Sequence, residues 1–158
     1  MIKVAILTIS DSCWRKERQD ISGQAIKEAL CPDKFEICQY KIVPDEQEEI
    51  AKQLIYFADQ INADIVLTTG STGLGPRDIA PEATAAVCNR IVPGLTEIMR
   101  LEGLKKTKNA ILSRAMAGIR KNTLIINLPG SPKAALESLQ IILDVLPHAV
   151  DMLAGRGH

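Results

Sequence analysis

The stretch ADIVLTTGSTGLGPRDIAPEAT, Ala63 to Thr84, decides how the rest of the chain is read. Its apolar run (Ala63, Ile65, Val66, Leu67) is too short for a helix and leads through Thr68-Thr69 into glycines at Gly70, Gly73 and Gly75, the pattern of a buried strand entering a turn-rich loop. Arg77 and Asp78 follow, and Pro81 opens an Ala-rich helical pattern to about Asn89. Strand, glycine loop, charged pair and helix start in that order bring backbone N–H groups, a cation and a carboxylate to the C-terminal end of a strand. Open α/β sheets bind ligands there.

Working outward, the preceding segments repeat the theme. Val4 to Ile9 is a continuous β-branched and apolar run, expected as a central parallel strand ending at Thr8-Ile9-Ser10-Asp11. It is short, lacks a small-residue cleavage pattern and leads directly into Asp11, so it is expected as the first strand of the fold and not as a signal peptide. Ser12 to Asp20 is polar and expected to be an exposed loop, and Ser22-Gly23 opens a helix through Leu30. Phe35 to Val43 reads as a second strand ending at Pro44-Asp45, and an amphipathic helix follows from Glu46. This β-α-β-α-β order implies right-handed crossovers and helices on both faces of a mostly parallel sheet, a three-layer α/β/α fold.

Downstream, Pro93-Gly94 opens a helix expected to bury Leu95, Ile98, Met99 and Leu101. Ala110 to Ile119 and Thr123 to Leu128 are expected to form one antiparallel hairpin that brings Ser113 and Arg114 to the sheet end, with a helical Ala115 to Ala117 as the alternative. Leu128-Pro129-Gly130-Ser131-Pro132 is a second strand-end loop. Leu136, Leu139, Leu143 and Leu146 define a last helix, which Pro147 either kinks or follows by starting a short final segment.

The 158 residues contain no repeat or linker, so a single domain spanning 1–158 is expected. With 19 basic against 19 acidic residues, no overall field favours nucleic acid or a membrane surface, and neither is expected as a partner. Four scattered cysteines without a Cys-x-x-Cys pair argue against a zinc site or disulfide framework and fit a cytoplasmic protein. The only histidines are His148 and His158, which gives a Ser-His or Cys-His nucleophilic mechanism little support.

The candidate chemistry lies at the strand ends. Gly70-Ser71-Thr72-Gly73 lacks the P-loop lysine and the dinucleotide spacing; it reads either as a backbone anion cradle with Thr72 as a hydroxyl donor or as an ordinary strand-to-helix loop. Asp45 and Asp78 both follow strands, where two carboxylates can share Mg²⁺. Asp45 also suits a helix N-cap for the Glu46 helix, and Arg77-Asp78 also suits a surface ion pair. Ser113, Arg114 and Arg120 offer phosphate donors or a solvated hairpin. Gly130-Ser131-Pro132-Lys133 offers a helix start or an oxyanion site.

Taken together, Thr8-Ile9-Ser10-Asp11, Asp20-x-Ser22-Gly23, Pro44-Asp45, Thr68-Thr69-Gly70-x-Thr72-Gly73, Pro76-Arg77-Asp78, Pro81-Glu82-Ala83-Thr84, Leu112-Ser113-Arg114, Ala117-Gly118-x-Arg120, Leu128-Pro129-Gly130-Ser131-Pro132-Lys133 and Leu146-Pro147-His148-Ala149 resemble the molybdopterin-binding MogA/MoaB family. The resemblance runs through essentially the whole chain. It implies a homotrimer or hexamer in molybdenum cofactor biosynthesis, adenylylating molybdopterin with Mg²⁺ and ATP, and a downstream molybdenum-insertion protein as a partner. Some relatives of this kind bind or carry molybdopterin without catalysis. It further implies Asp45 and Asp78 as metal-associated catalytic carboxylates. Gly70, Ser71, Thr72, Gly73, Ser113, Arg114, Gly130, Ser131 and Lys133 would hold molybdopterin and phosphates, with Ser10, Asp11, Ser22 and Gly23 on the nucleotide side. One position departs from the family pattern: Ser71 stands where a second glycine is usual. If that position requires a positive φ, serine costs on the order of 1 kcal/mol, and its side chain would reach toward the pterin phosphate.

Overall fold

The computed structural model describes residues 1–157; His158 lies outside the described residues. Strand β1 (Ile2–Ile9) is followed by a one-turn helix α1 (Asp11–Trp14), α2 (Ile21–Ala29), β2 (Phe35–Val43), α3 (Gln47–Asp59), β3 (Ile65–Thr69), α4 (Ala80–Val87), β4 (Arg90–Ile91) and α5 (Pro93–Leu104). A 3₁₀ turn (Lys108–Leu112), β5 (Ala117–Arg120), β6 (Thr123–Leu128), α6 (Pro132–Ile142) and α7 (Leu146–Leu153) complete it. The sheet order is β2-β1-β3-β6-β5-β4. The first four of these are mutually parallel, and β5 is antiparallel to both β6 and β4.

Alternation along the parallel strands builds the two outer layers. Ile6, Leu67 and Ile126 face α2, α5, α6 and α7 through Ile26, Met99, Leu139 and Leu146. Leu7, Val66 and Ile125 face α3 and α4 through Leu54, Phe57 and Ala83. Because both faces are covered, the strands need no polar side, which explains their unbroken apolar runs.

Three expectations change. On α5 only Thr96 and Met99 are buried; Leu101 is 60% exposed and Ile98 38%, because one row of this helix faces the core and the next faces out of the chain. The expected long hairpin is shorter: residues 108–112 coil into the 3₁₀ turn, and Arg114 N–H donates to Thr72 O (2.9 Å), which diverts the segment toward the glycine loop before β5 begins. Ser12 to Asp20 is not wholly loop, since Ser10 Oγ caps α1 by accepting from Cys13 N–H (3.2 Å), and Asp20 is buried. The two-residue β4 has too little sequence to show a period. Of the two readings of Pro147, the structure has the second: it stands in the first turn of α7 and starts that helix.

Arg120 also moves. It sits at the edge of the sheet opposite the strand ends, donating to Asp59 (3.0 and 2.8 Å) and to Val87 O (2.9 Å), and so clamps α3, α4 and β5 together. The Arg120 guanidinium holds the Asp59 carboxyl below its usual value. A carboxylate depressed in this way stabilises the fold above its unfolded pKa, about 3.9, and that contribution is lost as the pH falls through the folded value. Arg120→Ala should therefore lower the melting temperature at neutral pH, with the deficit shrinking below about pH 4; thermal melts across pH test this, and a deficit that stays constant would show that the ion pair is not its source.

Candidate functional site

The strand-end loops form a ridge with a cavity on either side. The smaller cavity, about 420 Å³, is bounded by Ser10, Ser22, Asp45, Gly70, Ser71, Gly130 and Ser131. The larger, about 710 Å³, is bounded by Thr72, Gly73, Leu74, Arg100, Ser113 and Ala134 among others. The segment from Gly70 to Gly73 is their dividing wall, its first two residues bounding the small cavity and its last two the large one. Ten of the candidate residues are thus divided between two neighbouring cavities. Asp11, Gly23, Asp78, Arg114 and Lys133 bound neither one.

The wall owes its course to backbone geometry. Gly70 has φ 98°, and a Cβ there would lie 2.3 Å from Ile9 O, so only glycine fits. Ser71 follows at φ 63°. Its hydroxyl accepts from Ile79 N–H (2.9 Å) and donates to Arg77 O (3.2 Å). The positive φ anticipated for Ser71 is therefore present, but the hydroxyl is engaged inside the loop and does not project at a ligand. Asp78 Oδ2 accepts from Gly75 N–H (2.9 Å), and a Cβ on Gly73 or Gly75 would come within 2.9 or 2.8 Å of that oxygen. These two glycines let the loop wrap the carboxylate.

Arg114, expected as a phosphate donor, also has partners within the chain. Nε donates to Gly73 O (2.8 Å), Nη2 to Asp78 O and Nη1 to Glu82. Three of its five N–H groups are taken by protein acceptors, so Arg114 braces the loop that carries Asp78 and keeps one N–H on each Nη. Lys133 is exposed on the first turn of α6.

Asp45 does not cap the Glu46 helix, whose N-terminus has no side-chain cap. Instead Asp45 Oδ2 accepts from Asp11 N–H (2.7 Å), while Asp45 N–H donates to Asp11 Oδ1 (3.0 Å). Arg77, expected beside Asp78, reaches across to Asp11 through Nε (2.7 Å) and Nη2 (3.0 Å). This guanidinium holds the Asp11 carboxyl below its usual range.

The small cavity suits an anion. The N-termini of α2 and α6 both open onto it, and Ser22 Oγ donates to Gly130 O (2.6 Å), which ties the two together. Aligned helix dipoles and unpaired first-turn N–H groups favour negative charge at such a point. Behind them stands a buried group to which the sequence reading assigned no role: Asp20 accepts from Thr8 Oγ1 (2.6 Å), Gly23 N–H (2.9 Å) and Tyr40. Burial, followed by this bond, pushes the Tyr40 phenol up. The spacing of Asp20 and Gly23 was an N-cap signal; Tyr40, on a half-exposed strand, offered none. Among the described residues no three His, Cys, Asp or Glu side chains converge as a protein-only metal cage would require. Mg²⁺ does not need one, since one or two carboxylates with substrate phosphates and water suffice.

Comparison with known proteins points to one family. A family model described as a probable molybdopterin binding domain matches residues 5–148. A molybdopterin adenylyltransferase of Helicobacter pylori (strain J99) is 44% identical, with 98% of this chain and 89% of the relative covered. The crystal structure of the molybdopterin biosynthesis enzyme MoaB from Thermus thermophilus is 54% identical, superposes with a TM-score of 0.93 and covers 98% of both chains. A molybdenum cofactor biosynthesis bifunctional protein of Chlorobaculum tepidum is 36% identical over 99% of this chain, which spans half of that longer protein.

Ser71 gives a direct check on the wall. Ser71→Gly removes the positive-φ cost and the hydroxyl bonds together and should change stability by less than about 1 kcal/mol. Ser71→Ala keeps the strain and loses the bonds, and should cost about 1–2 kcal/mol. Urea denaturation of the two variants reads the order, and an alanine variant as stable as the glycine one would contradict it.

Proposed function

This chain belongs to the molybdopterin-binding domain family, and from that membership we propose that it is a molybdopterin adenylyltransferase of molybdenum cofactor biosynthesis. In this reading the terminal phosphate of molybdopterin attacks the α-phosphorus of ATP, the new P–O bond forms as the α–β bridge breaks, and pyrophosphate leaves. The observation that carries the reading is the pair of cavities separated by a single wall: one offers two helix N-termini for a polyphosphate, the other has room for a pterin, and Asp78 is held in the loop that continues the wall.

The chain's own residues do the positioning. Ser10, Ser22, Gly130 and Ser131 receive the nucleotide phosphates, Thr72, Gly73 and Ser113 receive the pterin side, and Arg114 holds the Asp78 loop between them. Fixing two phosphates at one wall supplies much of the rate in a reaction that needs no covalent nucleophile. Asp45 and Asp78 are the residues that would hold Mg²⁺; each has one carboxylate oxygen engaged by a backbone N–H and a second without a hydrogen bond among the described residues. Bound there, the ion supplies charge neutralisation for the phosphates as transfer proceeds.

The same reading makes the 158 residues one functional domain of a cytoplasmic protein; among the described residues no helix is long and apolar enough to cross a membrane. It makes the protein a homotrimer or hexamer, consistent with the outward apolar row of Ile98, Leu101 and Leu104 on α5. A molybdenum-insertion protein is the proposed recipient of the product, a relation in keeping with the bifunctional relative.

Purified protein incubated with molybdopterin and Mg·ATP is expected to form adenylyl-molybdopterin and pyrophosphate. Asp45→Asn and Asp78→Asn should each reduce kcat by about 100-fold or more with molybdopterin affinity changed less than about threefold, since the lost stabilisation belongs to the transition state. Tight molybdopterin binding without product would instead identify a carrier, and wild-type rates in both variants would remove the two carboxylates from catalysis.

A further inference from the structure

Three strand ends meet at one carboxylate. Asp11 follows β1, Asp45 follows β2, and Arg77 lies in the loop after β3, so they are 34 and 66 residues from Asp11 in sequence. Asp11 Oδ1 accepts from both Asp45 N–H (3.0 Å) and Arg77 Nη2 (3.0 Å), and Oδ2 accepts from Arg77 Nε (2.7 Å). In return, Asp11 N–H fixes Asp45 Oδ2 (2.7 Å). Both oxygens of Asp11 are therefore committed to protein donors, and it bounds neither cavity, although its place in the sequence suggested a ligand contact.

The magnitudes separate a stabilising role from a positioning one. The Arg77 side chain is 58% exposed, and ion pairs in such settings add little to folding stability. What a bidentate guanidinium–carboxylate pair does supply is orientation, because two parallel N–H···O bonds fix the carboxylate plane. That plane determines where Oδ1 meets the Asp45 amide, and the reciprocal Asp11–Asp45 ring in turn determines how the Asp45 carboxylate is presented to the small cavity. A carboxylate required at a defined point needs such a supporting layer.

We propose that Asp11 and Arg77 form a latch across the ends of β1, β2 and β3 that positions Asp45 for the reaction without touching the nucleotide themselves. The role assigned to Asp45 rests on the adenylyl-transfer reading; the latch itself does not. When Arg77 is removed, Asp11 is free to rotate, the ring with Asp45 opens, and Asp45 loses its defined orientation while the phosphate-binding helix ends remain intact.

The test uses the full chain and two independent readouts. In the first, amide hydrogen exchange is followed by NMR in the absence of ligand: Arg77→Ala should speed exchange of the Asp11 and Asp45 amides about tenfold or more, with the β1 core amides unchanged. In the second, Arg77→Ala should lower kcat about tenfold while the ATP dissociation constant, measured by calorimetry, stays within about twofold; on an Asp45→Asn background it should cost nothing further, as expected for residues acting as one unit. Unchanged exchange at the two amides would overturn the latch, as would ATP binding weakened about tenfold, which would make Arg77 a nucleotide contact, or full additivity with Asp45→Asn. Should wild-type protein show no adenylyl transfer, the adenylyl-transfer reading fails while the exchange measurement still decides for or against the latch.

Discussion

Two consecutive residues at the end of β3, Gly70 and Ser71, carry φ angles of 98° and 63°, and the loop to Asp78 runs where it does because of them. A chain in ordinary extended geometry would leave the sheet along the strand axis. Here it turns under the Ile9 carbonyl, close enough to exclude a Cβ at Gly70, and rises as a wall between two cavities. The Ser71 hydroxyl, Arg114 and the Asp78 carboxylate then fasten the loop to itself and to the segment before β5. Each fastening acts on a backbone group, so the wall is held by hydrogen bonds and not by an apolar core. That suits a segment which must stay beside solvent and ligand.

Three of the arginines around the strand ends are engaged by the protein itself. Arg77 is taken by Asp11, Arg114 by two loop carbonyls and Glu82 of α4, and Arg100 by the carbonyls of Ala115 (2.8 Å) and Ser113 (3.4 Å). Anion recognition at the small cavity falls to Arg18, which lines it and has no hydrogen bond or ion pair among the described residues, and to preorganised donors: backbone N–H groups, the Ser10 and Ser131 hydroxyls and the ends of α2 and α6. Such donors are fixed before a ligand arrives and need little reorganisation when charge moves between phosphates, which is the condition for effective electrostatic stabilisation.

Much of this was legible along the chain. The buried strands, the helices between them and the parallel order followed from unbroken β-branched runs alternating with amphipathic segments, and the strand-end carboxylates and glycines could be named. The departures have physical causes. Ile98 and Leu101 were expected in the core because helical periodicity reports that a face is apolar without reporting what covers it. Residues 110–116 were expected to pair as strand because Ala, Ile and Leu fit either state, and the deciding bond, Arg114 N–H to Thr72 O, joins positions 42 residues apart. Asp20 was named only within a motif and Tyr40 not at all, because a buried carboxylate shows no signal in sequence beyond its cap spacing.

The sequence by itself determined the fold class, the edge of the sheet where chemistry is placed and the residue types available there, since these depend on local propensity, period and chain order. Only the tertiary structure decided what each charged side chain does. Asp45 pairs with Asp11 and does not cap its own helix, Arg77 crosses to Asp11 and leaves its neighbour Asp78 to the Gly75 amide, and Arg114 and Arg120 brace backbone. A charged group seeks whichever partner the folded chain brings within about 3 Å, and in a parallel sheet those partners come from loops dozens of residues apart. Chain order therefore locates the site, while the pairing within it is settled only when the strand ends meet.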